Sequence, residues 1–191
     1  MTDRHRPAPP RDAAKHVRIV PLSAATLRAL ADGDLAAANR TAAVALTPYF
    51  IDPAWRGTWR RRSRQLETDP ASAAWITGVV WDAERQIAVG RAGYHGPPDA
   101  RGMVEVGFAV DPTYRRLGYA RAALEVLLER AAAEPDVRVV RATIRPDNIA
   151  SRRLVLPYGF VEIGEQWDDE DGLETIYEVA AKRPPPKPPT A

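Results

Sequence analysis

The sequence predicts an α+β (mixed α/β) fold: a mostly antiparallel, twisted sheet of about seven strands, with helices on both faces and a central β-α-β unit. Three observations predict it. Residues 75–110 hold three strand-like runs joined by short links, the pattern of an antiparallel meander. At Tyr119 the apolar period changes to that of a helix, and the β-former run Val137–Ile144 follows. A strand, a helix and a strand of these lengths make a right-handed crossover between parallel neighbours.

The elements follow in order. Val17–Leu22 reads as a first strand. Ser23 is a good N-cap, Thr26, Leu27 and Leu30 lie at helical spacing, and Gly33 can end that helix. Asp34 can cap a second, short helix through Ala43. Asp52-Pro53, an N-cap with proline at the first helical position, opens a third. That helix puts Trp55, Trp59 and Leu66 near one face, with Arg60, Arg61, Arg62 and Arg64 over the rest; the basic face could meet an acidic or phosphorylated acceptor, or simply be solvated while the tryptophans pack on the sheet. Trp75–Trp81, Ile87–Tyr94 and Met103–Val110 form the meander, and in the last of these Val104, Val106, Phe108 and Val110 share one face. Tyr119–Ala133 is an amphipathic helix. After the Val137–Ile144 strand, Asp147 or Asn148 caps a further helix that Pro157 or Gly159 closes. Phe160–Glu165 and Glu174–Val179 complete the sheet. One domain is expected over residues 16–182, flanked by a disordered tail (1–15) and a Pro-rich tail (183–191).

Composition excludes several classes. The chain of 191 residues suits one domain with a real core. With no cysteine there is no disulfide, no thiolate metal site and no cysteine acyl-enzyme, and three histidines make a zinc site improbable. No apolar run approaches the roughly 18–20 residues of a bilayer span, and the N-terminus has no signal-peptide core, so a cytoplasmic protein without membrane contact is expected. A net charge of +2 is low for a dedicated nucleic-acid binder.

Chemistry concentrates in the link Asp111-Pro112-Thr113-Tyr114-Arg115-Arg116-Leu117-Gly118-Tyr119-Ala120. It joins a buried strand to a helix, whose N-terminal N–H groups and partial positive charge attract anions. Gly118 allows backbone geometry that other residues resist, and Ala120 keeps the first turn thin. With Arg115 and Arg116 beside it, the loop suits a diphosphate; the alternative is an ordinary tight connection whose arginines face water. Neither a Gly-Lys-Ser/Thr nor a G-x-G-x-x-G phosphate motif is present.

At this loop the sequence resembles the GCN5-related N-acetyltransferases (GNAT superfamily), whose signature is Arg/Gln-x-x-Gly-x-Gly/Ala. Arg115, Gly118 and Ala120 match it. Val104–Pro112 looks like the family's fourth strand, and Asn148-Ile149-Ala150-Ser151 with Gly159-Phe160 is similar to its Asn-x-x-Ser/Ala helix. Glu105-Val106-Gly107-Phe108 and Ser151 bring it closest in type to the ribosomal-protein N-terminal acetyltransferases. The resemblance implies a GNAT-like fold and an acetyl-CoA-dependent N-acetyltransferase, passing acetyl directly to a primary amine without an acyl-enzyme. It also implies cofactor contacts: Val110 backbone groups and Asn148 on the pantetheine arm, and the N–H groups of Arg115, Arg116, Gly118, Tyr119, Ala120 and Arg121 on the pyrophosphate.

Catalysis needs a neutral amine, whose pKa is ordinarily near 10, so a proton acceptor close to the acyl carbon would help. Glu105 is the first candidate: a carboxylate in mid-strand, on the pleat opposite the apolar face. Its alternative role is an ion pair with Arg91 or Arg141. His95 is the second candidate. The family's usual tyrosine acid, seven residues after the asparagine, is Val155 here; Ser151 can instead donate to the thiolate sulfur, or serve as a helix-surface hydroxyl. Tyr158 reads as core or substrate wall. The acceptor can be a peptide N-terminus or a small-molecule amine. The acidic turn Trp167–Asp171 could attract a cationic one or be a solvated hairpin tip. Two alternatives remain: a non-catalytic acyl-CoA sensor, and a ribosome- or nucleic-acid-associated module using the Arg60–Arg64 face. A homodimer is compatible with the chain.

Overall fold

A computed structural model describes residues 15–169 and 172–181. Both predicted tails, apart from Lys15, and two residues of the acidic turn lie outside the described residues.

The apolar alternation of the sequence becomes a seven-stranded sheet in the order β1-β2-β3-β4-β5-β7-β6. Its strands are β1 (Val17–Val20), β2 (Gly78–Asp82), β3 (Ile87–Tyr94), β4 (Met103–Val110), β5 (Val139–Ile144), β6 (Val161–Asp168) and β7 (Gly172–Ala180). Every neighbouring pair is antiparallel except β4 and β5, the two strands of the crossover. Period two sends alternate residues to opposite sides: Val80 packs into one core and Val79 into the other. The second core holds α1 (Ala24–Asp32), α2 (Leu35–Thr41) and α3 (Arg56–Thr68), through Leu27, Leu30, Ala38, Trp59 and Leu66. The first holds α4 (Tyr119–Ala133) and α5 (Ile149–Val155), through Ala123, Leu124, Leu127 and Val155. Helices therefore cover both faces, as the sequence predicts.

Local signals set the boundaries. The Ser23 hydroxyl accepts from Thr26 N–H at 3.1 Å, and Gly33 closes α1 with φ +78°. Asp34 caps α2. Between the two candidates at α5, Asn148 is the cap; its Oδ1 accepts from Ser151 N–H at 3.1 Å. The first strand is shorter than predicted: Leu22 leaves it and is buried in the helix-side core. The third helix is split, because Asp52-Pro53 opens a 3-10 turn through Trp55 and α3 starts at Arg56.

One feature of the sheet matters most for function. β4 and β5 pair over three positions only, Met103 with Val139, Val104 with Val140 and Glu105 with Arg141. Beyond Glu105 the strands part. The residues 106–108 of β4 and 142–144 of β5 then face a shared cavity of about 320 Å³.

Candidate active site

The cavity begins where the two strands separate; His95 lines it, and a carboxylate, Glu105, stands beside that imidazole. In the β3–β4 ladder Tyr94 stands opposite Val106, so the next pair outward is His95 with Glu105. A backbone bond from His95 N–H to the Glu105 carbonyl, 2.8 Å, holds that register. The side chains meet on the α3 side of the sheet, with His95 Nδ1 3.3 Å from Glu105 Oε1. The same oxygen accepts from the Thr143 hydroxyl of β5 at 2.6 Å. Neither predicted ion-pair partner of Glu105 holds it. Arg141 lies opposite in register but bonds Glu178 at 2.6 and 3.0 Å, because β7 runs beside β5. Arg91 instead stacks over Trp55, 4.1 Å from the ring centre.

The other imidazole nitrogen looks toward the cavity. A Cβ on Gly107 would stand 3.0 Å from His95 Nε2, so the missing side chain lets the ring lie over the β4 backbone. Desolvation is the largest influence on His95, and the positive charges of Arg62, Arg61 and Arg91 add to it. Against the attraction of Glu105 they hold its pKa below the ordinary histidine value. The imidazole is therefore neutral at neutral pH, a state that accepts protons.

The basic helix differs from its predicted form. Arg60, Arg61 and Arg64 are exposed, but Arg62 is 6% exposed. It follows Trp59 by three residues and precedes Leu66 by four, which sets it on the buried face. Its Nη1 donates to the His95 carbonyl at 2.8 Å and to Gln65 Oε1 at 3.0 Å, and its Nε to Thr77 Oγ1 at 3.3 Å. Burial, with Arg61 and Arg91 nearby, lowers its pKa to about 10. Thus the predicted continuous solvated basic face is interrupted, and Arg62 lines the cavity with Arg61 and Arg91.

Asn148 and Ser151 line the cavity from α5. The Asn148 Oδ1 is committed to the helix cap, and its amide nitrogen is not part of that bond. Val155, at the family's tyrosine position, is fully buried. Tyr158 does not replace it: its hydroxyl donates to Glu125 Oε1 at 2.7 Å, and burial with that carboxylate raises its pKa. It packs against the core, as the sequence reading has it. Of the acidic turn, Trp167 is 74% exposed; among the described residues, Glu174 lines the cavity and accepts from Gln166 at 3.1 Å.

The predicted phosphate loop lies past the far end of β4. Arg115 donates from Nε to the Val110 carbonyl at 3.2 Å, while a second lone pair of that oxygen remains available. Gly118 is the N-cap of α4 with φ +86° and offers no side-chain cap, so the first N–H groups of the helix, Tyr119, Ala120 and Arg121, are left for other acceptors. No acidic residue occupies the first turn, and Arg115, Arg116 and Arg121 are exposed around it. The Tyr119 side chain turns inward. Its hydroxyl bonds the buried Asp82 at 2.7 Å and accepts from Arg85 at 2.7 Å, tying the start of α4 to the β2–β3 turn. Among the described residues no cluster could hold a metal ion, and no helix is long and apolar enough to cross a membrane.

A sheet with helices on both faces, split between parallel β4 and β5 and backed by an uncapped helix start, defines an acyltransferase architecture. Residues 24–161 match the family model of the acetyltransferase (GNAT) domain, and the chain belongs to that family. Over 83 residues it is 36% identical to YjdG of Bacillus subtilis, described as an uncharacterized N-acetyltransferase, covering 44% of this chain and 49% of that protein. Over 62 residues it is 39% identical to the L-2,4-diaminobutyric acid acetyltransferase of Streptomyces coelicolor, covering 32% and 36%. The chain thus spans about half or less of the curated relatives it matches. Its fold is similar to that of the ribosomal-protein-S5-alanine acetyltransferase from Vibrio fischeri, with a TM-score of 0.57 at 18% identity over 89% of this chain and 94% of that one. At that identity the likeness shows the fold.

Proposed function

We propose that the chain is an acetyl-CoA-dependent N-acetyltransferase acting on a primary amine, with residues 16–182 as its catalytic domain. The observation that carries this reading is the juxtaposition of His95 and Glu105 at the point where β4 and β5 part. Bound acetyl-CoA would supply the thioester: the amine nitrogen bonds to its carbonyl carbon, the C–S bond breaks, and the amine loses a proton.

The residues present fit that donor. The uncapped N–H groups of α4, with Gly118 in the left-handed conformation and Arg115, Arg116 and Arg121 around them, are suited to the pyrophosphate. The open edge of β4, with Val110 at its end, and the free amide of Asn148 are suited to the pantetheine arm. His95 accepts the proton through Nε2. Glu105, held by Thr143, orients the imidazole through Nδ1 and favours the tautomer with the proton on that nitrogen. This assigns Glu105, first read as the base itself, to a positioning role one bond further back. Ser151 is suited to donate to the departing sulfur. The family membership and a relative described as a diaminobutyric acid acetyltransferase support an amine acceptor.

The test is release of free thiol from acetyl-CoA across a panel of amino acids, polyamines and peptides. Turnover on at least one class is expected. Tight CoA binding without turnover on any amine would instead make the chain an acyl-CoA sensor.

A further inference from the structure

The acceptor end of the cavity carries a positive charge that acetyl transfer itself does not need. Arg62 is the clearest case. All three bonds of its guanidinium go to neutral oxygens, those of Thr77, Gln65 and the His95 backbone, and its Nη2 takes part in none of them. A buried cation held this way is costly unless an anion joins it. Arg61 and Arg91 lie close enough to disfavour its charge further, against a weaker attraction from Glu105. Arg91 is fixed in place by its stack on Trp55.

Glu105 faces His95 and Thr143, and one bond of Glu174 goes to Gln166; neither is among the bonded partners of Arg62. The cofactor's own phosphates do not explain the cluster. In the reading above they sit at residues 115–121, beyond the far end of β4, whereas Arg62 bonds the backbone of His95 at the near end. A second ammonium group on the acceptor would meet the Arg62 guanidinium at this place and be repelled. An amine bearing an oxyanion would be drawn in, and its amino group would be left near His95.

We propose that the acceptor is a small amine that also carries an oxyanion, a carboxylate in the simplest case, and that Arg62 binds that oxyanion. This rests on the acetyl-transfer reading and narrows its substrate. The guanidinium fork matches carboxylate and phosphate alike, so the experiment separates the two.

Two pairs of acceptors differ only in the acid group: ornithine against 1,4-diaminobutane, and O-phosphoethanolamine against ethanolamine. In at least one pair the acid should exceed its twin in kcat/KM by about 10- to 100-fold, the range of a charge-assisted bond to a buried cation. Which pair shows the preference names the oxyanion. Arg62→Gln should shrink that ratio to within about threefold, and Arg62→Lys should restore part of it, with CoA affinity reporting that each variant is folded. If Arg62→Gln does not fold, butyrate and phosphate decide with the native protein: one should inhibit competitively against the amine, beyond a chloride control of equal ionic strength. Diamine turnover equal to or above that of both acids overturns this proposal and leaves acetyl transfer standing, and so does a preference unchanged in folded Arg62→Gln. No turnover on any amine defeats both readings.

Discussion

Two groups of arginines bracket β4 and behave differently. Arg115, Arg116 and Arg121 surround an uncapped helix start and are exposed to water. Arg62 is buried at the other end, with its guanidinium fixed by Thr77, Gln65 and the His95 carbonyl. Exposed charges are screened by salt and free to reorient, so each adds little, and the helix N–H groups do most of the holding. A buried, bonded guanidinium is already oriented before any ligand arrives, and its field is weakly screened. The exposed end therefore suits grip on a large cofactor through many small contributions. The buried end suits discrimination and chemistry through few large ones.

The largest test of this division is His95→Asn. It should lower kcat by roughly 10²- to 10³-fold while CoA affinity stays near its original value. The native kcat should also fall as the pH drops below 6.5. The His95 pKa is held under the ordinary value by desolvation and by Arg62, Arg61 and Arg91, against Glu105, so protonation sets in only on the acid side. An acid limb that survives in the variant would remove His95 from the proton-accepting role. Next in size is Gly107→Ala, which places a methyl 3.0 Å from His95 Nε2. Displacement of the ring should cost roughly 10- to 100-fold in kcat. Equal loss in CoA affinity, measured by calorimetry, would break the separation of the two ends. The smallest effect belongs to Arg115→Gln: CoA should bind about two- to fivefold more weakly at low ionic strength, with the difference vanishing in about 0.5 M salt. A salt-independent loss would mean that Arg115 acts through its bond to the Val110 carbonyl instead.

The exposed end was legible in the sequence and the buried end only partly so. A loop and helix start are local: Gly118, Ala120 and the change of period at Tyr119 carry their meaning within a few residues of chain. The same holds for the caps Ser23, Asp34 and Asn148. Arg62 was obscured because it sits in a run of arginines that reads as a solvated face, although its spacing from Trp59 and Leu66 placed it inward. The partners of Glu105 depended on facts that no local pattern contains. His95 reaches it through the register across the 96–102 loop. Arg141 is taken from it because β7 inserts between β5 and β6 and brings Glu178 alongside. Thr143 reaches it across the ladder of a strand 38 residues away.

The three-pair ladder between β4 and β5 has a mechanical consequence. It is where the β1–β4 half of the sheet meets the β5-β7-β6 half, and Glu105 is its last rung. If the halves flex, the motion is that of a lever about this pivot. Val110, five residues further along β4, lies about 17 Å from it at about 3.3 Å per residue. A swing of about 5° would carry that end by about 1.5 Å, while the imidazole beside Glu105 barely moves. In the proposed reading, the mouth can thus widen for a long cofactor arm to enter and leave without disturbing the imidazole assigned to the proton.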